Sequence, residues 1–236
     1  MRNGSFLEMS FLQELHTKSV AVIGGGVTGA ATLRFLISQG ITPQLIDERE
    51  GVVEGIASQK ELKGTVDLAI VSPGWRTDHP IFEELVRGGS EVVSEIDFAW
   101  RIKDSVAPHQ KWIALTGTNG KTTTVQMVNS IFEAAGVHGV ACGNVGETVI
   151  ESVMSPKPYD YLALELSSFQ IHWSSEARYE ASAILNIAED HIDWHGSLDE
   201  YANAKLKLTV FSPDGKLIIR NADFNSSISV SNWSSG

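Results

Sequence analysis

The chain has almost no cysteine. Its one thiol, Cys142, cannot close an intrachain disulfide, so the fold must rest on packing alone, as in a reducing compartment. No apolar run approaches the roughly 18 residues that a spanning helix needs. None near the start has a basic flank, so no signal peptide is evident. Basic charge is scarce: 18 Lys and Arg against 29 Asp and Glu leave a net charge of −11. A nonspecific nucleic-acid binder draws its affinity from a basic surface, so that class of partner is excluded. Internal repeats are missing as well. What is present is ordinary globular composition: 42% apolar and 20% charged residues in a chain of 236 supply a core for one large domain or two of usual size. A cytoplasmic protein with no membrane partner is expected.

Strand and helix patterns alternate. Ser19-Val-Ala-Val-Ile23 reads as a buried strand running into Gly24-Gly-Gly-Val-Thr-Gly29. A helix follows with Ala30, Leu33, Leu36 and Ile37 on one face, stopped at Gly40. Residues 44–46 and 67–71 read as further strands, the second ending in Ser72-Pro-Gly74. The polar, proline-containing stretch 101–110 reads as a connection. A second unit then begins: a strand at 112–115, the loop Thr116-Gly-Thr-Asn-Gly-Lys-Thr122, and a helix over 123–135 with Val125, Val128, Ile131, Phe132 and Ala135 as its apolar face. Strands are predicted at 161–164, 183–187 and 217–219, and a turn at 212–215. Ser197-Leu-Asp-Glu200 has the spacing of a capping box, so a helix should start there and run toward Val210. This alternation predicts an α/β protein: a Rossmann-like parallel-sheet domain over 1–105, then an incomplete P-loop-type α/β domain over 106–236.

The first glycine loop follows a strand and opens a helix, and Asp47 ends the next strand. Glycines let the backbone approach a diphosphate, and the helix N-terminus favours its charge. By itself this pattern fits a dinucleotide-binding oxidoreductase using NAD, or a tight turn with no ligand, and it cannot name the nucleotide. The second loop has amides to wrap a triphosphate, Lys121 to reach its terminal phosphates, and the Thr122 hydroxyl to ligate Mg²⁺. It departs from the general P-loop pattern, because Leu115 stands where that pattern has glycine. The Gly-Lys-Thr core with its helix is intact.

Thr116-Gly-Thr-Asn-Gly-Lys-Thr122 resembles the ATP loop of the Mur ligase family, which builds the peptide of bacterial cell-wall precursors. Gly143-Asn144-Val-Gly146, Leu164-Glu-Leu-Ser-Ser-Phe-Gln170, Asn186-Ile-Ala-Glu-Asp-His-Ile-Asp193 and Ala204-Lys-Leu-Lys207 also resemble that family, in order. So do Gly24 to Gly29, Asp47-Glu-Arg49 and Ser72-Pro-Gly74. The resemblance spans about residues 18 to 223 and is strongest to the branch that adds D-glutamate to UDP-N-acetylmuramoyl-L-alanine. Folate polyglutamate synthases share the ATP loop but not this N-terminal part.

The resemblance changes what the first loop is expected to hold: UDP rather than NAD. Val27, Thr28, Asp47, Arg49, Ser72 and Gly74 become candidate contacts to the UDP substrate, with Glu48 standing where the family has a hydroxyl residue. Gly117, Thr118, Asn119, Gly120, Lys121, Thr122 and Thr123 become ATP contacts. Two Mg²⁺ ions are implied, one at Thr122 and Glu165, the other at His191 and Lys205 with its amine carbamylated. Asn144 would sit near an acyl phosphate, and Ser167 and Ser168 near the sugar–peptide part of the substrate. Plainer readings exist: Glu165 as a strand-end acid, His191 as a solvated histidine, Lys205 as a lysine with its stem on the core. His191 and His195 have the spacing of a zinc pair, yet Ile192 replaces the glutamate of the metalloprotease motif.

The resemblance implies a monomeric ATP-dependent ligase acting on small molecules. It also implies a third, C-terminal domain that this sequence lacks, so the 236 residues are expected to be inactive alone. The competing expectations are a non-catalytic UDP-substrate-binding module and the NAD-dependent oxidoreductase.

Overall fold

Four consecutive apolar residues, Val20–Ile23, are buried to the last atom or nearly so. A strand that hides both faces belongs in the middle of a parallel sheet covered on both sides. The computed structural model describes residues 10–212 and the backbone of 216–219, and it places that strand accordingly. The elements run in the order α1 (Phe11–Leu15), β1 (Val20–Ile23), α2 (Val27–Ser38), β2 (Gln44–Ile46), β3 (Ser58–Gln59), β4 (Leu68–Val71), α3 (Pro80–Arg87), β5 (Glu91–Ser94) and α4 (Glu95–Val106). Then come β6 (Lys111–Thr116), α5 (Lys121–Ala135), β7 (Gly139–Gly143), α6 (Val149–Val153), β8 (Tyr161–Glu165), α7 (Ser168–Trp173), β9 (Ala181–Ile184), α8 (Ile192–His195), α9 (Leu198–Leu206) and β10 (Lys216–Ile219).

The first sheet has the order β3-β2-β1-β4-β5 and the second β10-β9-β6-β8-β7; every pairing in both is parallel. The α/β class with parallel sheets is therefore as the sequence predicts. In the first sheet the winding reverses between β1 and β4, which opens a crevice beyond their carboxyl ends. In the second, β6 lies between β8 and β9. Leu115 is in register with Glu165, and Thr116 with Ile184. The ends of three strands thus meet at one place.

Local signals start the helices. Ser94 accepts a hydrogen bond from the Asp97 amide at 2.9 Å and caps α4. Pro80 opens α3, where a missing N–H costs nothing. Ser197 caps α9 as the spacing predicts, accepting from the Glu200 amide at 3.1 Å, and a short 3₁₀ turn over Lys207–Thr209 carries it toward Val210.

Four expectations need correction. Residues 101–106 are the last turns of α4 rather than a connection, because Ile102 and the stem of Lys103 are buried against the core. β9 ends at Ile184, since residues 185–188 turn away to bond the phosphate loop. On α5 only Val125 and Phe132 are buried; Ile131 and Ala135 face outward, because the helix touches its sheet along a narrow line. On α2, Ile37 is exposed while Leu33 and Leu36 enter the core. Residues 213–215 of the predicted turn lie outside the described residues.

One hydrophobic cluster runs through both sheets. Phe98 and Ile102 of α4 and Val149, Ile150 and Val153 of α6 belong to it. Polar contacts, buried at Asp97, reinforce this junction. The Asp97 carboxylate accepts from the amides of Ser175, Glu176 and Ala177 at 2.7, 3.0 and 3.0 Å, and Arg101 bridges Glu91 and Glu176.

Candidate functional site

Two sites lie at the carboxyl ends of the two sheets. The first is a cleft of about 740 Å³, a volume suited to a nucleotide-sized ligand. Gly24, Gly26, Val27, Thr28, Asp47, Arg49, Ser72 and Gly74 line it, so the six residues expected from the N-terminal loops come to one place, while Ser167 and Ser168 lie outside this cleft. The turn between β1 and α2 can be this tight only with glycine. A β-carbon on Gly29 would stand 1.8 Å from the Gly24 carbonyl oxygen. The Ser72 hydroxyl donates to that same oxygen at 2.9 Å, tying the ends of β1 and β4 together.

Asp47 is 4% exposed and accepts from the Gly25 amide at 2.8 Å. It also accepts from the Arg49 guanidinium at 3.1 Å through both carboxylate oxygens. Burial by itself would raise its pKa, but the Arg49 bonds and the amides of Gly25 and Arg49 outweigh that and hold it below the usual carboxylate value. The acid is therefore charged and already oriented at the cleft wall. Trp75, Arg76 and His79 also line this cleft and were not singled out in the sequence, although they directly follow Ser72-Pro-Gly74.

The second site is built on the loop between β6 and α5. Gly120, at φ +80°, turns the chain into the helix, and the Lys121 ammonium donates to the carbonyls of Gly117 and Thr118 at 3.0 and 2.8 Å. Thr122 and Thr123 stand exposed on the first turn, at the positive end of the helix dipole. Asn186 lies in a segment whose expected role falls to His191, yet it holds the loop. Its side-chain oxygen accepts from the Asn119 amide at 2.8 Å and its side-chain nitrogen donates to the Asn119 carbonyl at 2.9 Å. Thr118 bonds the Tyr201 hydroxyl at 3.0 Å and both backbone groups of Ala188.

Glu165, at the end of β8, is 2% exposed. One carboxylate oxygen accepts from the Asn144 side chain at 3.2 Å; the other is buried with no hydrogen-bond partner. A buried carboxylate oxygen left alone costs free energy unless something positive meets it. Lys205, on α9, is 1% exposed, and its ammonium donates to Gly117 O at 3.0 Å and Thr116 Oγ1 at 3.3 Å. Burial, and next the charge of Lys121, push its pKa down to about 7. At neutral pH a large share of this lysine is therefore a free amine.

His191 begins α8 in the left-handed region at φ +51°, an uncommon conformation for a residue with a β-carbon. Its ring packs on Phe169 at 4.8 Å and lies 3.5 Å from the Asp190 carboxylate. His195 stacks flat on the same Phe169, at 5.5 Å and 5°, and bonds the buried Ser168 hydroxyl at 2.9 Å. Burial and the neighbouring His172, Lys205 and His191 lower its pKa to about 4, so it is neutral. Ser168 is thus engaged with His195, and Ser167 caps α7 by accepting from the Gln170 amide at 3.2 Å. Among the described residues no three His, Cys, Asp or Glu side chains gather as a metal cluster. Mg²⁺ takes one or two protein oxygens and completes its shell with water and phosphate; the lone oxygen of Glu165 at the end of β8 fits such an ion.

Two parallel sheets, one with a tight glycine turn after β1 and the other with a Gly-Lys-Thr loop after β6, define the class as an α/β protein built of two parallel-sheet layers. The sequence profile of the Mur ligase middle domain matches residues 115–235, and the chain belongs to the Mur ligase family. A UDP-N-acetylmuramoylalanine–D-glutamate ligase of Thermobifida fusca is 40% identical over 211 residues, covering 83% of this chain and 45% of the relative. The enzyme of the same name from Nocardia farcinica is 39% identical over 212 residues, covering 84% and 44%. The chain thus spans less than half the length of these relatives. The solved UDP-N-acetylmuramate:L-alanyl-gamma-D-glutamyl-meso-diaminopimelate ligase from Neisseria meningitides has the same fold, with a TM-score of 0.57 at 16% identity over 88% of this chain and 72% of that one. No helix among the described residues is long and apolar enough to cross a membrane.

Proposed function

We propose that these residues form the UDP-substrate-binding and ATP-binding parts of a ligase that joins D-glutamate to UDP-N-acetylmuramoyl-L-alanine in peptidoglycan precursor synthesis. Residues 1–105 would hold the UDP substrate and residues 106–236 the ATP. The observation that carries the reading is that Lys121 and Lys205 meet on the Gly117 carbonyl, while Glu165, bonded to Asn144, ends β8 in register with Leu115 just before that loop. The names and identities of the relatives support D-glutamate and the muramoyl substrate.

The reaction is amide formation through an acyl phosphate. An oxygen of the substrate's terminal carboxylate attacks the γ-phosphorus, and the bond from that phosphorus to the bridging oxygen breaks, releasing ADP. The amine of D-glutamate then attacks the acyl carbon, loses a proton, and phosphate leaves. Lys121 would neutralise charge on the transferred oxygens, and the amides of Gly117 to Thr123 would wrap the phosphates. Asn144 would donate near the acyl phosphate, and Ser167 and Ser168 would line the path of the sugar–peptide. Thr122 and Glu165 would hold one Mg²⁺, and His191 and Lys205 the other. When bound, these ions supply charge stabilisation at the phosphoryl oxygens. Lys205 would join its site as a carbamate, which a neutral amine forms with CO₂ by releasing a proton; its burial and low pKa support that. A monomer working in the cytoplasm belongs to the same reading.

The first cleft gives the test that separates a ligase from an oxidoreductase. Calorimetric titration of the purified chain with UDP-N-acetylmuramoyl-L-alanine should show one-to-one binding that UDP displaces. Asp47→Ala should weaken it by about tenfold, the loss of a charge-assisted hydrogen bond. Tight binding of NAD that UDP does not displace would overturn the proposal.

A further inference from the structure

The loop over residues 72–79 belongs to both halves of the molecule. It lines the first cleft through Gly74, Trp75, Arg76 and His79. The same loop is bonded to the segment that carries His191. Arg76 donates through one guanidinium nitrogen to the carbonyls of Asp193 at 3.0 Å and Trp194 at 3.3 Å. In return, the Trp194 indole N–H points at the Gly74 carbonyl at 3.4 Å, and the Trp173 indole N–H donates to the Trp75 carbonyl at 2.9 Å. The other two guanidinium nitrogens are held by the Asp78 carboxylate, both at 3.1 Å.

Asp193 and Trp194 lie within α8, a helix of four residues. So short a helix does not hold itself, and its carbonyls lack partners along the chain. Arg76 satisfies two of them. His191 opens α8 in its left-handed conformation, so the position of α8 decides where that imidazole stands. A single fork thus joins a wall of the first cleft to the helix that aims His191. A small cavity of about 160 Å³ beside this contact is lined from both sides, by Arg76 and Asp78 of the loop and by Trp194 and His195 of α8. A lysine could not do this, because one ammonium has no flat fork to share between a carboxylate and two carbonyls.

We infer that Arg76 is a positioning residue that couples the two sites: filling the first cleft fixes the 72–79 loop, and through Arg76 fixes α8 and His191, which tightens Mg·nucleotide binding at the second site. The inference rests on the proposed function of the two sites. A ligand in the cleft packs on Gly74 and Trp75, the residues whose carbonyls receive the two indoles, so the loop cannot settle without moving its partners. By linkage the effect is reciprocal.

The test is calorimetry on the whole chain with Mg·ADP, alone and with UDP-N-acetylmuramoyl-L-alanine held at saturation, so that any change in affinity for the latter drops out of the ratio. The wild-type ratio of the two Mg·ADP dissociation constants should be about fivefold, within the usual range of coupling. In Arg76→Ala it should fall close to one, and Trp194→Phe, which removes one indole bond, should lower it partway. Thermal unfolding checks that both variants are folded. A wild-type ratio near one, or an undiminished ratio in Arg76→Ala, overturns the inference and leaves the proposed function standing. Failure of the wild-type chain to bind either ligand alone overturns both.

Discussion

Glu165 and Lys205 are almost wholly buried, and among the described residues neither has an ion-pair partner. Folding tolerates this in two different ways. Glu165 keeps one oxygen on Asn144 and leaves the other bare, whereas Lys205 shares its donors between a hydroxyl and a carbonyl and sheds its proton easily. The second has a measurable signature. An unfolded lysine titrates near 10.5, the folded Lys205 near 7. Between these values the unfolded state binds more protons, so stability contributed by the neutral amine rises with pH across that window and the penalty is complete below about pH 7. Urea unfolding in CO₂-free buffer should show the wild type gaining on the order of 2–4 kcal/mol from pH 7 to 10 relative to Lys205→Met, the linkage expected of a lysine whose pKa is lowered from 10.5 to about 7. A variant with the same slope as wild type would contradict the burial argument. Adding carbon-13-labelled bicarbonate should give a carbamate resonance that Lys205→Met lacks.

At the scale of elements, the turn between β1 and α2 is the sharpest local constraint. Gly29→Ala would drive a β-carbon into the Gly24 carbonyl, part of the backbone that forms the floor of the first cleft. Neither side of that contact is a flexible side-chain end. We expect a loss of more than about 3 kcal/mol in urea unfolding, at the high end for one methyl group, together with loss of UDP binding. Wild-type stability in this variant would mean that the turn is not as tight as described. Such loops were legible in the sequence because each combines a buried strand, glycines at close approaches and a periodic helix within a few residues. The β7–α6 and α3–β5–α4 regions were not. Gly139-Val-Ala-Cys-Gly143 has only three apolar residues between glycines, and α6 is five residues long, too short for a helical period. The polar end of α4 looked like a linker because its burial comes from tertiary contacts, with Asp97 and Arg101 answered by residues some 80 positions away.

For the whole molecule, the same distinction separates what sequence motifs reveal from what packing reveals. The candidate ligands on the two loops could be named from spacing and resemblance. The groups that hold them could not: Asn186 on the phosphate loop, Tyr201 on Thr118, and Arg76 reaching from one sheet's loop to the other's helix. These act over long sequence separations and leave no local period. The shared core and the Asp97 knot join the two sheets, and the Arg76 and Trp173 bonds join the loop after β4 to the segments after β8 and β9. Everything in the proposed chemistry depends on the second site accepting a magnesium nucleotide. Calorimetric titration of Mg·ATP into the purified chain and into Lys121→Ala tests this most directly. One-to-one binding is expected, abolished by EDTA and weakened at least about tenfold by Lys121→Ala, the worth of a charge-assisted phosphate contact. Absence of binding, or binding indifferent to magnesium and to Lys121, would contradict the proposed chemistry.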